Sequence, residues 1–326
     1  MRVAVTGATG HLGAATVRAL LAHGFEVRAL YHPRSDLKAL EGLAVEPVAV
    51  DILDPPALRR TFHGIDAVVH LAGLISINGD PDGMVARTNV DGARNVAEAC
   101  LAAGVAKLVH ISSFHAFKPS PELSRLDETA PRADQTSHAY DRSKAAGEDA
   151  VRAVAVKGLD LVILNPTGFI GPHDFKPSLT GRMLCRVFSG GVPLVIQGGF
   201  DWIDTRDVAE SILAALQTRA SGQYLLCGHW VTISELVALC GKAAGIQKRR
   251  FAVPWQVARL GAPLELLKSK LTRSPPGYTG ESLVILRDSR DNCCCEKAQR
   301  ELGFEARPLA QTIDDAHAWY RAEGFI

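Results

Sequence analysis

The sequence has no long hydrophobic run and almost no net charge. No apolar stretch reaches the roughly 18 residues that a membrane-spanning helix needs. Lys plus Arg number 36 against 35 for Asp plus Glu, a formal net charge of +1, which gives no reason to expect a nucleic acid or an anionic membrane as partner. The first predicted strand begins at Arg2 and leaves no room for a signal peptide. We therefore expect a cytoplasmic protein without nucleic-acid or membrane partners.

The cysteines lack the paired spacing of a disulfide framework or a metal site. There are seven, irregularly spaced, and three of them form the run Cys293-Cys294-Cys295. Three consecutive residues of a regular element cannot all face one ion. The sequence therefore predicts the reduced thiols of a cytosolic protein and no metal site.

What the chain does have is an alternation of short apolar strands with helical patterns in its first half. Of its 326 residues, 47% are apolar and 22% charged, a balance that can fill a core. Strands are predicted at 2–6, 27–31, 45–50, 67–71, 107–112 and 159–165. Helices are predicted at 12–23, 55–62, 84–103 and 139–157. This alternation predicts an α/β fold with a doubly wound parallel sheet, covered by helices on both faces.

A glycine-rich turn joins the first strand to the first helix. Gly7 follows the strand, Gly10 lies in the turn and Gly13 opens the helical run. Gly7 permits a sharp turn, Gly10 the close approach of a phosphate, and Gly13 the tight packing of the helix on the sheet. The helix N-terminus offers free N–H groups and a partial positive charge to an anion. This spacing between a strand and a helix predicts a site for the pyrophosphate of a dinucleotide.

The rhythm of strands and helices breaks after Asn165. Gly and Pro cluster at 166–172, 190–199 and 275–280. Further helices are predicted at 207–217, 233–244 and 254–271. The break predicts a dinucleotide-binding domain over 1–164 that also receives part of 200–228. Residues 165–199 and 229–326 are predicted to form a smaller, mostly helical substrate-binding lobe, with the substrate in the cleft between the two.

The end of the second strand indicates which dinucleotide binds. Enzymes that use NAD usually place an acidic residue there for the ribose hydroxyls, whereas this chain has Tyr31, His32 and Arg34. Without a carboxylate to repel a 2′-phosphate, and with two potential cations, the sequence favours NADP(H) over NAD(H). The alternative is that Arg34 is a solvated loop cation. Asp51, after the third strand, either accepts from the adenine amino group or caps the next helix.

Three polar residues of the first half suggest proton chemistry. Tyr140 and Lys144 lie four residues apart in a predicted helix and share a face. A phenol titrates near pH ~10, but a nearby ammonium lowers its pKa by stabilising the phenolate. Ser112 and Ser113 end the fifth strand, at the edge where parallel sheets present ligand sites. A serine there can hydrogen-bond a carbonyl oxygen and the tyrosine hydroxyl together; the alternatives are a surface Tyr–Lys pair and a turn serine.

Together these residues resemble the extended branch of the short-chain dehydrogenase/reductase superfamily, the NAD(P)-dependent epimerase/dehydratase family. The matching motifs are Thr6-Gly-x-x-Gly-x-x-Gly13, Asp51-Ile52, His70-Leu71-Ala72-Gly73, Thr88-Asn89-Val90-x-Gly92, Ile111-Ser112-Ser113, Tyr140-x-x-x-Lys144, Asn165-Pro166-x-x-x-x-Gly171-Pro172 and Asp204-x-x-Asp207-Val208-Ala209. The long interval between Ser113 and Tyr140 is typical of the extended branch. The resemblance implies a Rossmann fold for the first domain and a homodimer through the helices at 84–103 and 139–157.

The resemblance also implies a role for each motif. Tyr140 would be the general acid in reduction and the base in oxidation, and Lys144 would lower its pKa and hold the nicotinamide ribose. Ser113, rather than Ser112, would position the substrate oxygen. Asn89 would hold a proton-relay water or cap a helix kink. The cofactor contacts expected from these motifs and from the second strand are Gly7, Thr9, Gly10, His11 and Leu12 at the pyrophosphate, Leu71, Ala72 and Gly73 along the adenosine-side path, Pro166, Thr167 and Phe169 against the nicotinamide, and His32, Arg34, Asp51, Ile52, Tyr140 and Lys144.

Within the superfamily, the chain looks most like bacterial enzymes related to dihydroflavonol 4-reductase and like hopanoid-associated epimerase-like proteins. The segment 169–177 and the following Thr180-Gly181-Arg182 carry this narrower resemblance. Nucleotide-sugar dehydratases often have an acidic pair after the catalytic serine or threonine, where this chain has Phe114 and His115. The late Arg-x-Gly-Asp of nucleotide-sugar enzymes is also missing. Both departures argue against a diphosphosugar substrate.

Three functions fit these expectations. The leading hypothesis is an NADP(H)-dependent reductase of a ketone or aldehyde of fairly apolar shape, suggested by the cofactor and catalytic motifs and by the apolar set Phe114, Phe117, Phe169 and Phe175. The second is a sugar or nucleotide-sugar epimerase that retains NAD while it oxidises and re-reduces its substrate. The third is a non-catalytic, NADP-binding redox sensor, which the presence of Tyr140 and Lys144 disfavours.

Two further side-chain roles are expected near the cleft. Asp204 and Asp207 are expected to organise the interface between the lobes. His115 either hydrogen-bonds the substrate at the mouth of the cleft or packs beside Phe114 and Phe117, which is the commoner role of a lone histidine.

Overall fold

The computed structural model describes residues 1–118, 123–192, 194–246, 251–261, 263 and 278–326. Seven strands form its main sheet: β1 (Arg2–Thr6), β2 (Glu26–Tyr31), β3 (Glu46–Ala49), β4 (Ala67–His70), β5 (Lys107–Ile111), β6 (Asp160–Pro166) and β10 (Gly222–Leu226). All are parallel, in the order β10-β6-β5-β4-β1-β2-β3. The order reverses at β1, which confirms the predicted α/β, doubly wound fold.

Helices cover both faces of this sheet. One face carries α1 (His11–Ala22) and α7 (Thr205–Gln217). The other carries α2 (Pro55–Thr61), α4 (Ala93–Ala103) and α5 (Ala139–Ala155). Neighbouring residues of β1 point to opposite faces, so that Val3 and Val5 pack with α1 and α7 whereas Ala4 packs with α4 and α5. The apolar strands are buried on both sides, which explains their nearly continuous hydrophobic sequence.

The helical residues over 84–103 change geometry part-way. They comprise α3 (Met84–Ala86), a π-helical turn (Arg87–Gly92) and α4. The Asn89 side chain of this turn accepts from the Leu74 amide at 2.8 Å and donates to the Leu74 carbonyl and the Ser143 hydroxyl at 2.9 Å each. Gly147 of α5 packs so closely here that a Cβ would lie 2.4 Å from the Asn89 carbonyl oxygen. Asn89 therefore fastens the loop after β4 to α5.

The smaller lobe mixes short strands with helices. One sheet contains β7 (Gly168–Ile170), β9 (Gly199–Asp204) and β11 (His229–Thr232), and a second contains β8 (Leu194–Ile196) and β12 (Phe251–Val253). The labelled helices are α6 (Leu179–Phe188), α8 (Ile233–Ala243), α9 (Gly280–Asp288), α10 (Glu296–Leu302) and α11 (Leu309–Ala322). The sequence predicts helices here but not the two small sheets, because strands this short show no clear two-residue alternation.

Parts of the second half return to the main sheet. β10 pairs with β6 as the last strand, and α7 packs against α1. The helix predicted over 254–271 begins one residue later and is helical at 255–261 and at 263, and positions 262 and 264–271 lie outside the described residues. Among the described residues, no helix is both long and apolar enough to cross a lipid bilayer.

Candidate active site

The glycine-rich turn after β1 is packed too tightly for side chains at two of its glycines. Gly7 has a φ of +68°, and a Cβ there would lie 2.9 Å from the backbone nitrogen of Ala72. A Cβ on Gly13 would lie 2.1 Å from the carbonyl oxygen of Gly7. Gly10, between them, is exposed. The turn therefore has the form that a pyrophosphate needs, with bare backbone at its outer edge.

The N-terminus of α1 has no cap from its own chain. Gly10 provides no side-chain acceptor, and the first turn contains no acidic residue. Side chains cap α2, α6 and α7 instead, from Asp54, Ser178 and Asp204. Thr9, His11 and Leu12 surround the uncapped end, and because the Leu12 side chain is buried only its backbone is available to a ligand. Free N–H groups at an uncapped helix end fit the phosphates of a dinucleotide.

The His11 side chain joins this end of α1 to the second lobe. Its Nε2 lies 3.0 Å from the Pro172 carbonyl oxygen and 3.1 Å from the Thr205 hydroxyl. Its ring meets Phe169 in an edge contact, with the centroids 5.9 Å apart. His11 thus connects the predicted phosphate site with Phe169, which the sequence predicts beside the nicotinamide.

The residues predicted for the adenosine end lie where β2 and β3 end. His32 and Arg34 are exposed, and Nε2 of His32 lies 3.7 Å from the Asp51 carboxylate. Within the part of the chain that the structure describes, the Arg34 guanidinium forms no ion pair. Tyr31, the last residue of β2, leaves this strand end without a carboxylate. The surface therefore has cationic side chains available to a 2′-phosphate.

One of the two expectations for Asp51 is wrong. The cap of α2 is Asp54, whose carboxylate accepts from the Ala57 amide at 3.0 Å. Asp51 instead accepts from the Leu53 amide at 2.9 Å. Ile52 is buried, so it contributes packing under the adenosine end rather than an exposed side chain.

The loop after β4 forms a ledge beside the glycine-rich turn. The Thr6 hydroxyl accepts from the Leu71 and Ala72 amides at 3.2 Å each and lies 2.7 Å from Nδ1 of His70. Burial lowers the pKa of His70 to about 3, so the imidazole is neutral. These bonds hold Leu71, Ala72 and the exposed Gly73 next to the first turn of α1, as expected for the adenosine-side path.

The Tyr140 hydroxyl meets Ser113 where α5 begins beside the end of β5. The Ser113 hydroxyl lies close enough to the Tyr140 phenol to influence its pKa, whereas the buried Ser112 hydroxyl has no hydrogen-bond partner in the described part of the chain. Burial raises the pKa of Tyr140 to about 12, the neighbouring Ser113 hydroxyl acts in the opposite direction, and the Asp141 carboxylate adds to the rise. The structure therefore holds a protonated phenol, where the sequence led us to expect a lowered pKa.

Lys144 lies one turn further along α5, buried beside the same strand end. Its ammonium donates to the Ile111 carbonyl oxygen at 3.0 Å. Burial lowers the pKa of Lys144 to about 8, and the Glu148 carboxylate works against this shift. Burial, rather than the Lys144 ammonium, governs the pKa of Tyr140. At neutral pH the ammonium is still mostly charged.

A fully buried carboxylate, Glu148, connects these residues to the neighbouring strands. It accepts from Arg132 at 2.6 Å, from Asn165 at 2.6 Å and from Gln223 at 3.1 Å. Asn165 also donates to the carbonyl oxygen of Ser113 at 2.8 Å. The network holds the backbone of Ser113 and keeps a negative charge near Lys144. The sequence gives no signal for this network, because its members come from four separate segments.

The three residues predicted beside the nicotinamide follow β6 at the same edge of the sheet. Pro166 and Thr167 are buried, and the Thr167 hydroxyl donates to the Asp201 carboxylate at 2.5 Å. Asp201 also accepts from the Gly228 amide at 2.7 Å, and burial raises its pKa. Phe169 packs beside His11. The edge of the sheet thus brings together Ser113, the phosphate turn and these residues.

Two of the four phenylalanines that suggested an apolar substrate lie away from Tyr140. Phe117 is fully buried in a cluster with Leu126 and Leu225. Phe175 packs against Trp319, and Arg18 lies over its ring at 4.9 Å. The rings of Phe117 and Phe175 thus pack against other residues of the protein, because the second lobe folds back on α1 and β10.

Phe114 packs near the Tyr140 phenol through His115, together with an aromatic residue that the sequence did not indicate. Its ring meets Phe200 of β9 edge-on at 5.4 Å. Phe200 in turn lies against Gly168, where a Cβ would come within 2.5 Å of its ring. Phe114 and Phe200 both pack against the ring of His115, which in turn contacts Tyr140. Nothing in the sequence pairs them, since they lie on separate lobes.

His115 has a specific partner rather than only apolar neighbours. Its Nδ1 lies 2.8 Å from the Asp141 carboxylate. Its ring contacts Tyr140 edge-on at 5.5 Å and Phe114 at 4.3 Å. The expectation that it packs between Phe114 and Phe117 is therefore incomplete.

Asp204 and Asp207 both bind arginines. Asp204 accepts from Arg206 at 2.7 Å, and Asp207 accepts from the Arg307 guanidinium at 2.6 Å. Arg307 precedes α11 and carries the ion pair from α7 to the C-terminal segment. Among the described residues, no group of three or more His, Cys, Asp or Glu side chains is arranged to hold a metal ion.

Comparison with known proteins identifies the family. The family model described as the NAD dependent epimerase/dehydratase family matches residues 3–228. The chain belongs to this family. A ceramide reductase of Caulobacter vibrioides is 40% identical, with 99% of this chain and 96% of that protein covered. Sterol demethylase protein B of Methylococcus capsulatus is 35% identical over the full length of both chains.

A putative dihydroflavonol 4-reductase of Synechocystis is 30% identical, covering 99% of this chain and 95% of the relative, which confirms the narrower resemblance.

Among solved structures, the Thermus thermophilus UDP-glucose 4-epimerase in complex with NAD superposes with a TM-score of 0.79 at 25% identity, covering 98% of this chain and 99% of that one. The chain is thus an extended short-chain dehydrogenase/reductase, and its glycine turn, uncapped α1 and backbone ledge fit a nicotinamide dinucleotide.

Proposed function

We propose that this protein is an NADP(H)-dependent reductase that converts a ketone or aldehyde of a fairly apolar molecule to the alcohol. The observation that carries the proposal is the placement of a buried, protonated Tyr140 beside the Ser113 hydroxyl at the edge of the sheet, one helical turn from the ammonium of Lys144. This set provides a proton donor, a second hydroxyl for the carbonyl oxygen and a positive charge for the phenolate that forms.

The reaction follows from these positions. The reduced nicotinamide, when bound, supplies the hydride to the carbonyl carbon. The Ser113 hydroxyl donates a hydrogen bond to the carbonyl oxygen, and Tyr140 gives that oxygen its proton. Because the pKa of Tyr140 is about 12, the phenol is protonated at neutral pH, which is the form that reduction uses. Lys144 stabilises the resulting phenolate until a proton returns from solvent.

The choice of NADP(H) rests on the adenosine end. His32 and Arg34 are exposed there, and Tyr31 stands where NAD enzymes usually have an acid. An arginine fork suits the 2′-phosphate because it donates two parallel hydrogen bonds. Nε2 of His32 lies 3.7 Å from the Asp51 carboxylate, whereas the Arg34 guanidinium forms no ion pair within the described residues, so we assign the main attraction to Arg34.

The substrate is proposed to be lipid-like. Phe114 and Phe200 place apolar rings around His115, the aromatic neighbour of Tyr140, and the named relatives include a ceramide reductase and a sterol demethylase protein. An apolar wall favours long hydrocarbon substrates through burial of their surface. The homodimer through the helices at 84–103 and 139–157 stays a prediction.

The test is loss of NADPH absorbance with a panel of aldehydes, aryl ketones, diketones and long-chain ketones, with NADH in parallel. We expect turnover that prefers NADPH, and a rate lower by about 10²–10⁴-fold in Tyr140→Phe. Tyr224→Phe is the matched control, because its hydroxyl contacts Glu301 on α10, away from the edge that carries Ser113.

Other outcomes distinguish the alternative functions. An epimerase would retain NAD through purification and isomerise a sugar or nucleotide sugar without net turnover of the cofactor. A redox sensor would bind NADPH, with no change in any ketone and no effect of Tyr140→Phe. Either result would overturn the reductase proposal.

A further inference from the structure

We propose that His115, oriented by Asp141, binds a second oxygen function of the substrate next to the reacting carbonyl. The substrate class is then a β-oxygenated ketone, such as a β-keto ester, β-keto amide or β-hydroxy ketone, on a lipid-like chain. This inference rests on the proposed reductase function and adds a specificity-determining residue to it.

The His115 ring has a fixed orientation. Asp141 holds Nδ1 at 2.8 Å, so that nitrogen carries a proton and donates to the carboxylate. A backbone bond fixes the chain below it, since the His115 amide donates to the Ser113 hydroxyl oxygen at 3.2 Å. The ring is therefore positioned by two independent contacts, and both start from residues that touch or adjoin Tyr140.

The opposite side of the ring is available to a ligand. Within the described ranges, Nε2 of His115 has no hydrogen-bond partner, and the side chain is still 18% exposed. Its aromatic neighbours are Tyr140, Phe114 and Phe200, the last with its centroid 6.3 Å away. When an apolar substrate enters among these rings, Nε2 of His115 loses its hydrogen bond to water. A polar group on the substrate must then replace that hydrogen bond, or the loss costs binding energy.

The reacting groups lie within reach of the same substrate molecule. The Tyr140 and His115 rings are in edge contact, with centroids 5.5 Å apart. In a β-oxygenated ketone four bonds separate the second oxygen from the carbonyl oxygen, so one molecule can contact Tyr140 through its carbonyl oxygen and His115 through its second oxygen. A plain ketone would leave Nε2 unpaired against hydrocarbon.

Other charged groups face the same pair from the second lobe. Glu281, at the start of α9, lies 3.8 Å from Nδ1 of His138, the residue that precedes α5. Burial raises the pKa of Glu281, with the nearby Asp141 carboxylate contributing, which favours its neutral form. The cleft thus contains several polar groups on the substrate side of Tyr140, beyond those that carbonyl reduction requires.

The test measures binding, which does not depend on turnover. Isothermal titration calorimetry on the protein saturated with NADP⁺ compares a long-chain secondary alcohol, the matching β-hydroxy ester and the matching β-diol. We expect at least one of the two oxygenated ligands to bind at least about tenfold more tightly than the plain alcohol. In His115→Phe, which keeps a ring beside Phe114 and Phe200, this ratio should fall to near one, and Asp141→Asn should reduce it partly.

The two oxygenated ligands also separate the hydrogen-bonding roles of Nε2. Preference for the ester indicates that Nε2 donates, and preference for the diol indicates that it accepts; either preference supports the proposal when His115→Phe abolishes it. Equal binding of all three ligands by the unchanged protein, weak binding of every ligand, or a ratio that survives in His115→Phe would overturn it. Failure of the reductase function shows separately, as absent NADPH turnover with every ketone.

Discussion

The cofactor side and the substrate side of the proposed site are built in different ways. On the cofactor side the backbone makes the site: Gly7 and Gly13 leave no room for a Cβ, and α1 begins without a side-chain cap. On the substrate side, side chains make the site: Ser113, Tyr140 and His115 converge from two segments of the chain. The difference decides how each half responds to substitution and how well each could be predicted.

The largest effect is expected from a side chain on the backbone-made half. Gly7→Ala would place a Cβ 2.9 Å from the Ala72 nitrogen at a φ of +68°. Because either the turn or the ledge must move, we expect NADPH affinity to fall by more than about 100-fold and the free energy of unfolding to fall by about 2–4 kcal/mol. Calorimetric titration and urea unfolding measure the two.

Gly42→Ala is the matched control for this substitution. Gly42 has a φ of +72°, and a Cβ added there would have no other atom within 4 Å. The variant should lose only about 1 kcal/mol of stability from the left-handed conformation and keep its affinity for NADPH. Equal losses in both variants would show that conformation alone, and not crowding against Ala72, limits the turn.

On the side-chain half, the buried carboxylate Glu148 should control the proton chemistry of Lys144. Its charge opposes the effect of burial, so Glu148→Gln should lower the pKa of Lys144 further below about 8. The alkaline decline of the reduction rate, which follows loss of the Lys144 proton, should then move to lower pH, with a rate at neutral pH lower by about tenfold.

Asp149→Asn separates this electrostatic role from simple loss of a salt bridge. Asp149 is exposed and pairs with the same arginine, Arg132, at 3.1 Å. Its removal should leave the pH–rate profile unchanged. A profile that shifts equally in both variants, or in neither, would contradict the role assigned to Glu148.

Arg34→Ala should test the basis of cofactor choice. If the guanidinium binds the 2′-phosphate, KM for NADPH should rise about tenfold, while KM for NADH stays within about twofold. Arg59→Ala, an exposed arginine on α2, is the control. An equal change for both cofactors would remove Arg34 from the choice between them.

The smallest expected effect comes from His70, beneath the cofactor ledge. Its folded pKa of about 3 lies below the ordinary value of 6.5, so between these values the unfolded chain binds a proton that the folded protein does not. Stability should therefore fall as pH drops below about 6.5, by up to about 1.4 kcal/mol per pH unit from this group. Urea unfolding between pH ~7 and pH ~5 measures how steeply the free energy of unfolding falls with decreasing pH, and this fall should be shallower in His70→Asn. An equally steep fall in the variant would contradict a buried neutral imidazole.

The same contrast explains what the sequence could predict. The sequence predicts the roles of Gly7, Gly10 and Gly13 because their spacing is local and a side chain would obstruct the turn. It predicts Tyr140 and Lys144 because they are neighbours on one helix. The parallel sheet follows from the alternation of strands and helices.

The parts that could not be predicted depend on contacts between distant segments. Phe200 meets Phe114 across the two lobes, and Glu148 reaches Asn165 on a separate strand. Phe117 looks like a substrate contact in the sequence, yet tertiary packing buries it. The raised pKa of Tyr140 likewise follows from burial, which short motifs do not encode.

The most direct test of the central claim follows the hydride. NADPH carrying deuterium at the transferred position of the nicotinamide is incubated with an accepted ketone, and the alcohol is analysed by mass spectrometry. We predict one deuterium on the carbinol carbon for each NADPH oxidised, with both lost together in Tyr140→Phe. Isomerised substrate without deuterium, and NADPH recovered unchanged, would contradict a reductase and indicate an epimerase.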